Sequence, residues 1–263
     1  MLCYPDYSRS IISVISSIMN YYRAPYEYPT VSALDKHLSN FYKNVVLIVL
    51  DGMGHDMLEH DLPSNSFLRS SCVSKLSSVF PSTTASAMTS FYTGVSPNEH
   101  AWLGWSLFFK EFCRTIDVFT NLDTYTKQPA AISSAAEFIM PYETIYQSIV
   151  SSIIGEVQPF TISQSKVRIA ENGNIHKTAE KFDTVCELIG KICATNQNTF
   201  TYVQWCSPDD TAHRTGCYSD ETKEKLADIN RKLEALYKSV TDTLFIVTAD
   251  HGMIDISDEI LID

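Results

Sequence analysis

Residues 45–54 read VVLIVLDGMG, and the fold follows from this stretch. Six apolar residues, Val45 to Leu50, run without a polar break and end at Asp51. The run is too short for a buried helix, is rich in β-branched side chains and does not alternate. That pattern fits a strand covered on both faces in a parallel sheet. Asp51 is then delivered at the carboxyl end of the strand, where Gly52 and Gly54 let the backbone turn away. Taken alone, an aspartate in this place also reads as the cap of a following helix.

Two further stretches follow the same plan. TYVQWCSPDDTAH (201–213) ends in Asp209, Asp210 and His213, and TLFIVTADHGM (243–253) ends in Asp250 and His251. KLSSVFPSTTAS (75–86) reads as another apolar run, ending in Ser82, Thr83 and Thr84. Helical patterns lie between, over 84–92, 142–153, 177–194 and 219–239. Residues 8–22 place Ile11, Ile12, Ile15, Ile18, Met19 and Tyr22 at helical spacing, with Asp6 or Ser8 as cap. Strands alternating with helices predict an α/β fold, a central, mostly parallel sheet flanked by helices on both faces. Ligands of such folds bind outside the carboxyl ends of the strands, where these acidic residues fall. The stretch 100–140, with Trp102, Trp105, Phe108, Phe109 and Tyr125, reads as a small cap-like insertion in a single domain spanning 1–263.

Composition sets limits on function. With 263 residues, 44% of them hydrophobic and 19% charged, the chain can bury one full core. A net charge of −11 argues against a nucleic-acid polymer as ligand. An acidic chain still accepts small phosphate esters when cations supply the local positive charge. Seven cysteines, an odd number without a CxxC pair, point to a reducing compartment, and the cytoplasm is the expected location. The first residues, MLCYPDYSRS, lack the basic start and apolar centre of a signal peptide, and no apolar run approaches the ~18 residues of a membrane span.

Carboxylates and imidazoles gathered at strand ends are what a divalent-metal site for phosphoryl chemistry requires. Asp209 and His213, four residues apart, share one face if their segment is helical. Asp250 and His251 converge if a turn follows their strand. Ser82 and Thr83 sit where hydroxyls serve as N-caps. The same helix start offers free N–H groups to a phosphate, and a hydroxyl beside a metal there can attack phosphorus. One threonine of the pair then caps while its neighbour acts as nucleophile.

With these residues in place, the chain resembles the alkaline phosphatase superfamily in its type I phosphodiesterase/nucleotide pyrophosphatase branch, and especially its bacterial cytoplasmic members. VLIVLDGMG, FPSTTASAMTSFYTGVSPNEH, SPDDTAH and TADHGM carry the resemblance, in the family's order. The resemblance implies two divalent metals, usually zinc, with Mn2+ or Mg2+ as alternatives. Asp51, Asp250, His251 and the nucleophile oxygen would hold one, and Asp209 and His213 the other with a further histidine. It assigns the nucleophile to Thr84, with Thr83 as fallback. It implies hydrolysis of phosphodiester or pyrophosphate bonds, or of monoesters, through a covalent phospho-threonine that water releases.

The sequence departs from the family pattern twice. The further histidine normally follows the DHG motif well downstream, and none occurs in the twelve residues between His251 and the end at Asp263. The expectation is that the C-terminal part of the family fold lies outside this sequence, or that His55 or His100 substitutes, or that the second metal is held weakly. A non-catalytic or incomplete metal- or phosphate-binding protein is therefore the alternative function. In addition, Trp105 stands where nucleotide pyrophosphatases place a phosphoryl-binding asparagine, so nucleotide specificity does not carry over. Trp102 and Trp105 are read as stacking or core residues. A sulfatase is disfavoured because no C/S-x-P-x-R motif is present.

Overall fold

The structure, a computed structural model, describes residues 4–131, 142–152, 156–164 and 174–256. Strand β1 (Asn44–Leu50) is buried at all seven positions. Its side chains divide by parity between two cores. Val45, Leu47 and Val49 join one cluster, and Val46, Ile48 and Leu50 the other. This two-sided burial explains the unbroken apolar run, since a strand with one wet face would alternate. Each such side chain contributes roughly 1.5–3 kcal/mol on burial.

Among the described residues, the main sheet has five parallel strands: β1, β5 (Val157–Ser163), β6 (Ile175–Thr178), β7 (Asn198–Trp205) and β8 (Thr243–Thr248). Their order is β6-β5-β7-β1-β8, so β1 lies between β7 and β8. Helices cover both faces. One side carries α1 (Ile11–Tyr21), α2 (Ser32–Leu38), α5 (Thr84–Thr93) and α7 (Ile145–Ser151). The other side carries α3 (His55–Asp61), α4 (Phe67–Ser70), α8 (Phe182–Cys193), α9 (Asp209–Thr215) and α10 (Asp220–Ser239). A short α6 (Pro97–His100) follows α5. The expected α/β architecture is therefore the observed one, and among the described residues no helix is long and apolar enough to cross a membrane.

Several boundaries differ from expectation. The cap of α1 is Ser10, whose hydroxyl accepts from the Ile12 N–H at 3.3 Å, rather than Asp6 or Ser8. Asp6 instead closes its own turn by accepting from the Ser8 N–H at 3.0 Å. The helix expected over 177–194 begins only at Phe182, because Ile175–Thr178 pairs with β5 as β6. The helix expected over 142–153 is α7, with Thr144 as N-cap, and residue 153 lies outside the described residues. KLSSVF is not a strand: Ser77 makes one isolated parallel bridge to Ser10. Within 100–140, strands β2 (Ser106–Phe109), β3 (Arg114–Asp117) and β4 (Leu122–Asp123) form a separate antiparallel sheet. Residues 132–140 of that stretch lie outside the described residues.

Candidate active site

Neighbouring strands β7, β1 and β8 end at one level, and each exit brings in a functional side chain. Asp51 follows β1 directly, and its N–H donates to the Trp205 carbonyl at 2.9 Å. The Asp51 carbonyl in turn accepts from the Asp209 N–H at 3.1 Å, which ties the start of α9 to the end of β1. Gly52 adopts φ +72°, and a Cβ there would lie 2.9 Å from the Asp209 Cβ. A Cβ on Gly54 would meet the Gly252 Cα at 2.7 Å. The two glycines of DGMG thus serve close approach of the Asp209 and DHG segments as well as a turn. Asp51 is not the cap of α3, whose N-cap is Gly54.

Thr83 and Thr84 divide the two roles of a helix start. Thr83 is the N-cap of α5, its Oγ1 accepting from the Ser86 N–H. The first helical residue, Thr84, directs Oγ1 to Asp51 Oδ1 at 3.4 Å and to His251 Nε2 at 3.2 Å. His251 Nε2 lies 3.5 Å from both Asp51 Oδ1 and Asp250 Oδ2. Asp51, Asp250 and His251 thus form one compact group of ligand atoms.

Asp250 is fully buried, and its two carboxylate oxygens are used differently. Oδ1 accepts from the backbone N–H groups of Gly52 at 3.0 Å and His251 at 2.8 Å. Oδ2 is buried with no hydrogen-bond partner. Asp209 Oδ1 is in the same condition and lies 3.5 Å from His213 Nε2, one turn along α9. Buried carboxylate oxygens without a donor are costly, and a cation is the partner such atoms take. Oxygen and imidazole donors in this number suit a divalent ion such as zinc. Burial, then the charges of Asp250 and Asp209, hold the Asp51 carboxyl well above the usual carboxylate range. Burial also raises that of Asp209, against the opposing pull of His213 and His251.

Of the six residues expected to form the site, Asp51, Thr84, Asp250 and His251 meet beside the end of β1, Asp209 is tied to them through its backbone bond to Asp51, and His213 stands beside Asp209. The two substitute histidines do not join them. His100 is buried, accepts from the Trp102 N–H at Nδ1 (3.0 Å) and so carries its proton on Nε2, which lies 3.1 Å from Ser90 Oγ. Both ring nitrogens are engaged. The His55 imidazole groups instead with Asp56 and Glu59 on α3. Trp102 is a core residue, whereas Trp105 is 44% exposed and packs a tilted ring on Phe119. Sequence reasoning missed Ser78, whose Oγ donates to the Asp250 carbonyl at 2.5 Å. A serine within KLSSVF carries no signal of such a contact.

Solved structures of known proteins share this fold. Murine ectonucleotide pyrophosphatase/phosphodiesterase 5 in complex with AMP aligns at TM-score 0.62 and 18% identity, covering 83% of this chain and 59% of that one. The alkaline phosphatase PafA aligns at TM-score 0.56 and 14% identity, over 81% of this chain and 63% of its own. Phosphonoacetate hydrolase from Sinorhizobium meliloti, in complex with phosphonoformate, aligns at TM-score 0.56 and 16% identity, over 79% and 55%. The chain thus spans under two thirds of the length of these structural relatives. Among curated protein sequences, none matches. The family model described as type I phosphodiesterase/nucleotide pyrophosphatase matches residues 45–263, from the first residue of the VVLIVL run through all the strand ends that meet here. The chain belongs to the type I phosphodiesterase/nucleotide pyrophosphatase family.

Proposed function

We infer that the chain hydrolyses phosphate esters with Thr84 as nucleophile, phosphodiester or pyrophosphate bonds ahead of monoesters. The observation that carries this reading is the position of Thr84 Oγ1. It stands at the N-terminus of α5, within 3.4 Å of Asp51 and 3.2 Å of His251. Asp51, Asp250 and His251 would hold one divalent cation and Asp209 with His213 a second, zinc before Mn2+ or Mg2+, and such ions, when bound, supply the positive charge that favours ionisation of a hydroxyl and steadies charge on phosphoryl oxygens.

The chain's own residues supply the rest. First-turn N–H groups of α5 face the phosphoryl oxygens. Thr84 Oγ1 forms a bond to phosphorus as the bond to the leaving oxygen breaks. Water then cleaves the phospho-threonine and returns the hydroxyl. The preference for diester or pyrophosphate bonds follows the family, whose description names both. AMP and phosphonoformate, bound in two of the structural relatives, both present a phosphorus oxyanion, as a phosphate ester does. A small phosphate ester is accordingly the proposed partner, and the cytoplasm, from the odd cysteine count, the proposed place of action.

Replacing Thr84 by Ala is expected to abolish turnover of nitrophenyl phosphate esters and diesters while leaving metal content intact. Full activity in that variant would remove the assignment. A second reading, a cation-binding protein without hydrolysis, is favoured by one observation: His213 has 73% of its side chain exposed, and among the described residues Asp209 alone stands beside it as a ligand. It predicts about one cation per chain and no product, which metal analysis alongside a phosphoester panel distinguishes.

A further inference from the structure

The last β1·β8 pair is Val49↔Thr248, so the Asp250 carbonyl lies beyond the ladder and needs a partner elsewhere. It finds one in Ser78, whose Oγ donates to it at 2.5 Å. Ser78 stands in the segment that leads to Thr84, six residues on. That segment is anchored at its other end, where Ser77 exchanges backbone bonds with the N-terminal arm: Ile11 N–H to the Ser77 carbonyl at 3.0 Å, and Ser77 N–H to the Arg9 carbonyl at 3.1 Å. The contact therefore links two separately held parts of the site, the run ending at the nucleophile and the turn carrying Asp250 and His251.

Closing the circuit, His251 Nε2 lies 3.2 Å from Thr84 Oγ1. A chain of contacts runs from Ser78 to Asp250, along one peptide bond to His251, across to Thr84 and back along the backbone. Asp250 is clamped on three sides within it: Ser78 holds its carbonyl, and the N–H groups of Gly52 and His251 hold Oδ1. That leaves Oδ2, buried and unpartnered, aimed where a cation would be taken.

We propose that Ser78 is a positioning residue: its hydroxyl fixes the spacing between Thr84 and the Asp250–His251 turn, and through it the affinity of the cation site. The inference rests on the reading of that site as a metal centre. Partners one contact removed from a ligand typically change metal affinity or activity 10–100-fold when lost.

The test compares Ser78→Val with Ser78→Thr, which match in shape and differ in the hydroxyl. Metal-stripped wild type and both variants are titrated with zinc, and kcat and KM are measured on a nitrophenyl phosphodiester. The valine variant is expected to bind zinc about 10–100-fold more weakly and to lose kcat with KM held within about threefold. The threonine variant should recover to within about threefold of wild type, because it restores the donor. Equal zinc affinity and kcat in the two folded variants would overturn the role of Ser78 while leaving the metal centre standing. If the valine variant does not fold, Ser78→Ala takes its place with the same expectations. Failure of wild type to bind zinc would overturn the metal centre and this inference with it.

Discussion

Thr83 and Thr84 are adjacent and chemically identical, yet one hydroxyl turns back to the Ser86 N–H and the other forward to Asp51 and His251. The difference is geometric. An N-cap residue keeps extended backbone angles, here φ −110° and ψ 153°, which fold its side chain over the helix end. The next residue is already helical. The glycines are as specific. Gly52→Ala would place a Cβ 2.9 Å from Asp209 at a positive φ, and Gly54→Ala would press on the Gly252 backbone. Overpacking of this kind costs about 1–3 kcal/mol, and left-handed φ adds about 1–2 kcal/mol for alanine. Urea unfolding should show both losses, with zinc affinity reduced in Gly52→Ala because Asp209 is displaced.

His100 carries a pH prediction. Burial pushes its imidazole down to about 4 from the ordinary 6.5, so the folded chain keeps it neutral where the unfolded chain protonates it. Stability is unaffected by His100 above about pH 6.5 and falls as pH drops toward 4, by up to about 3 kcal/mol. Urea midpoints at pH 7 and pH 4.5 should show a larger acid loss in wild type than in His100→Gln.

Elements differ in how openly the sequence announces them. β1 was legible because burial on both faces writes an unbroken apolar run, β7 and β8 because β-branched and aromatic residues dominate them despite Thr201 and Gln204 in one and the half-buried positions of the other, and the turn chemistry at their ends exposed the site residues. β5 was not. Its VQPFTIS carries a proline, a threonine and a serine, which argue against an inner strand. Among the described residues, the pairing of β6 with β5 begins only at Phe160, so Pro159 precedes it on that side. The short α2, α3 and β2–β4 are set by tertiary contacts that no local period records. For α5, loss of its cap is separable from loss of the nucleophile. Thr83→Ala should lower stability by about 1 kcal/mol in thermal or urea unfolding, while retaining far more turnover than Thr84→Ala. Equal activity loss in the two would contradict the division of roles.

At the scale of the whole molecule, the site is a convergence of segments far apart in the chain, and each carboxylate it gathers repels the others. Cations that bind only this folded arrangement stabilise it by mass action. Zinc at a hundredfold excess over Kd should add about 2.7 kcal/mol. In a chain of this size that corresponds to a rise in Tm of roughly 5–10 °C over the chelator-treated sample. A melting temperature indifferent to both chelator and zinc would argue against a structural coupling of this kind.

The position of β8 has a consequence for how the molecule breathes. Among the described residues, β8 is the outermost strand beside β1, flanked on one side only, and it carries Asp250 and His251 at its end. Peripheral strands fray at lower free energy than central ones. Transient detachment of this margin would withdraw two proposed ligands while β1, β5 and β7 stay zipped. Deuterium uptake along Leu244–Thr248 should therefore outpace that along Val45–Leu50, and slow selectively when zinc is added.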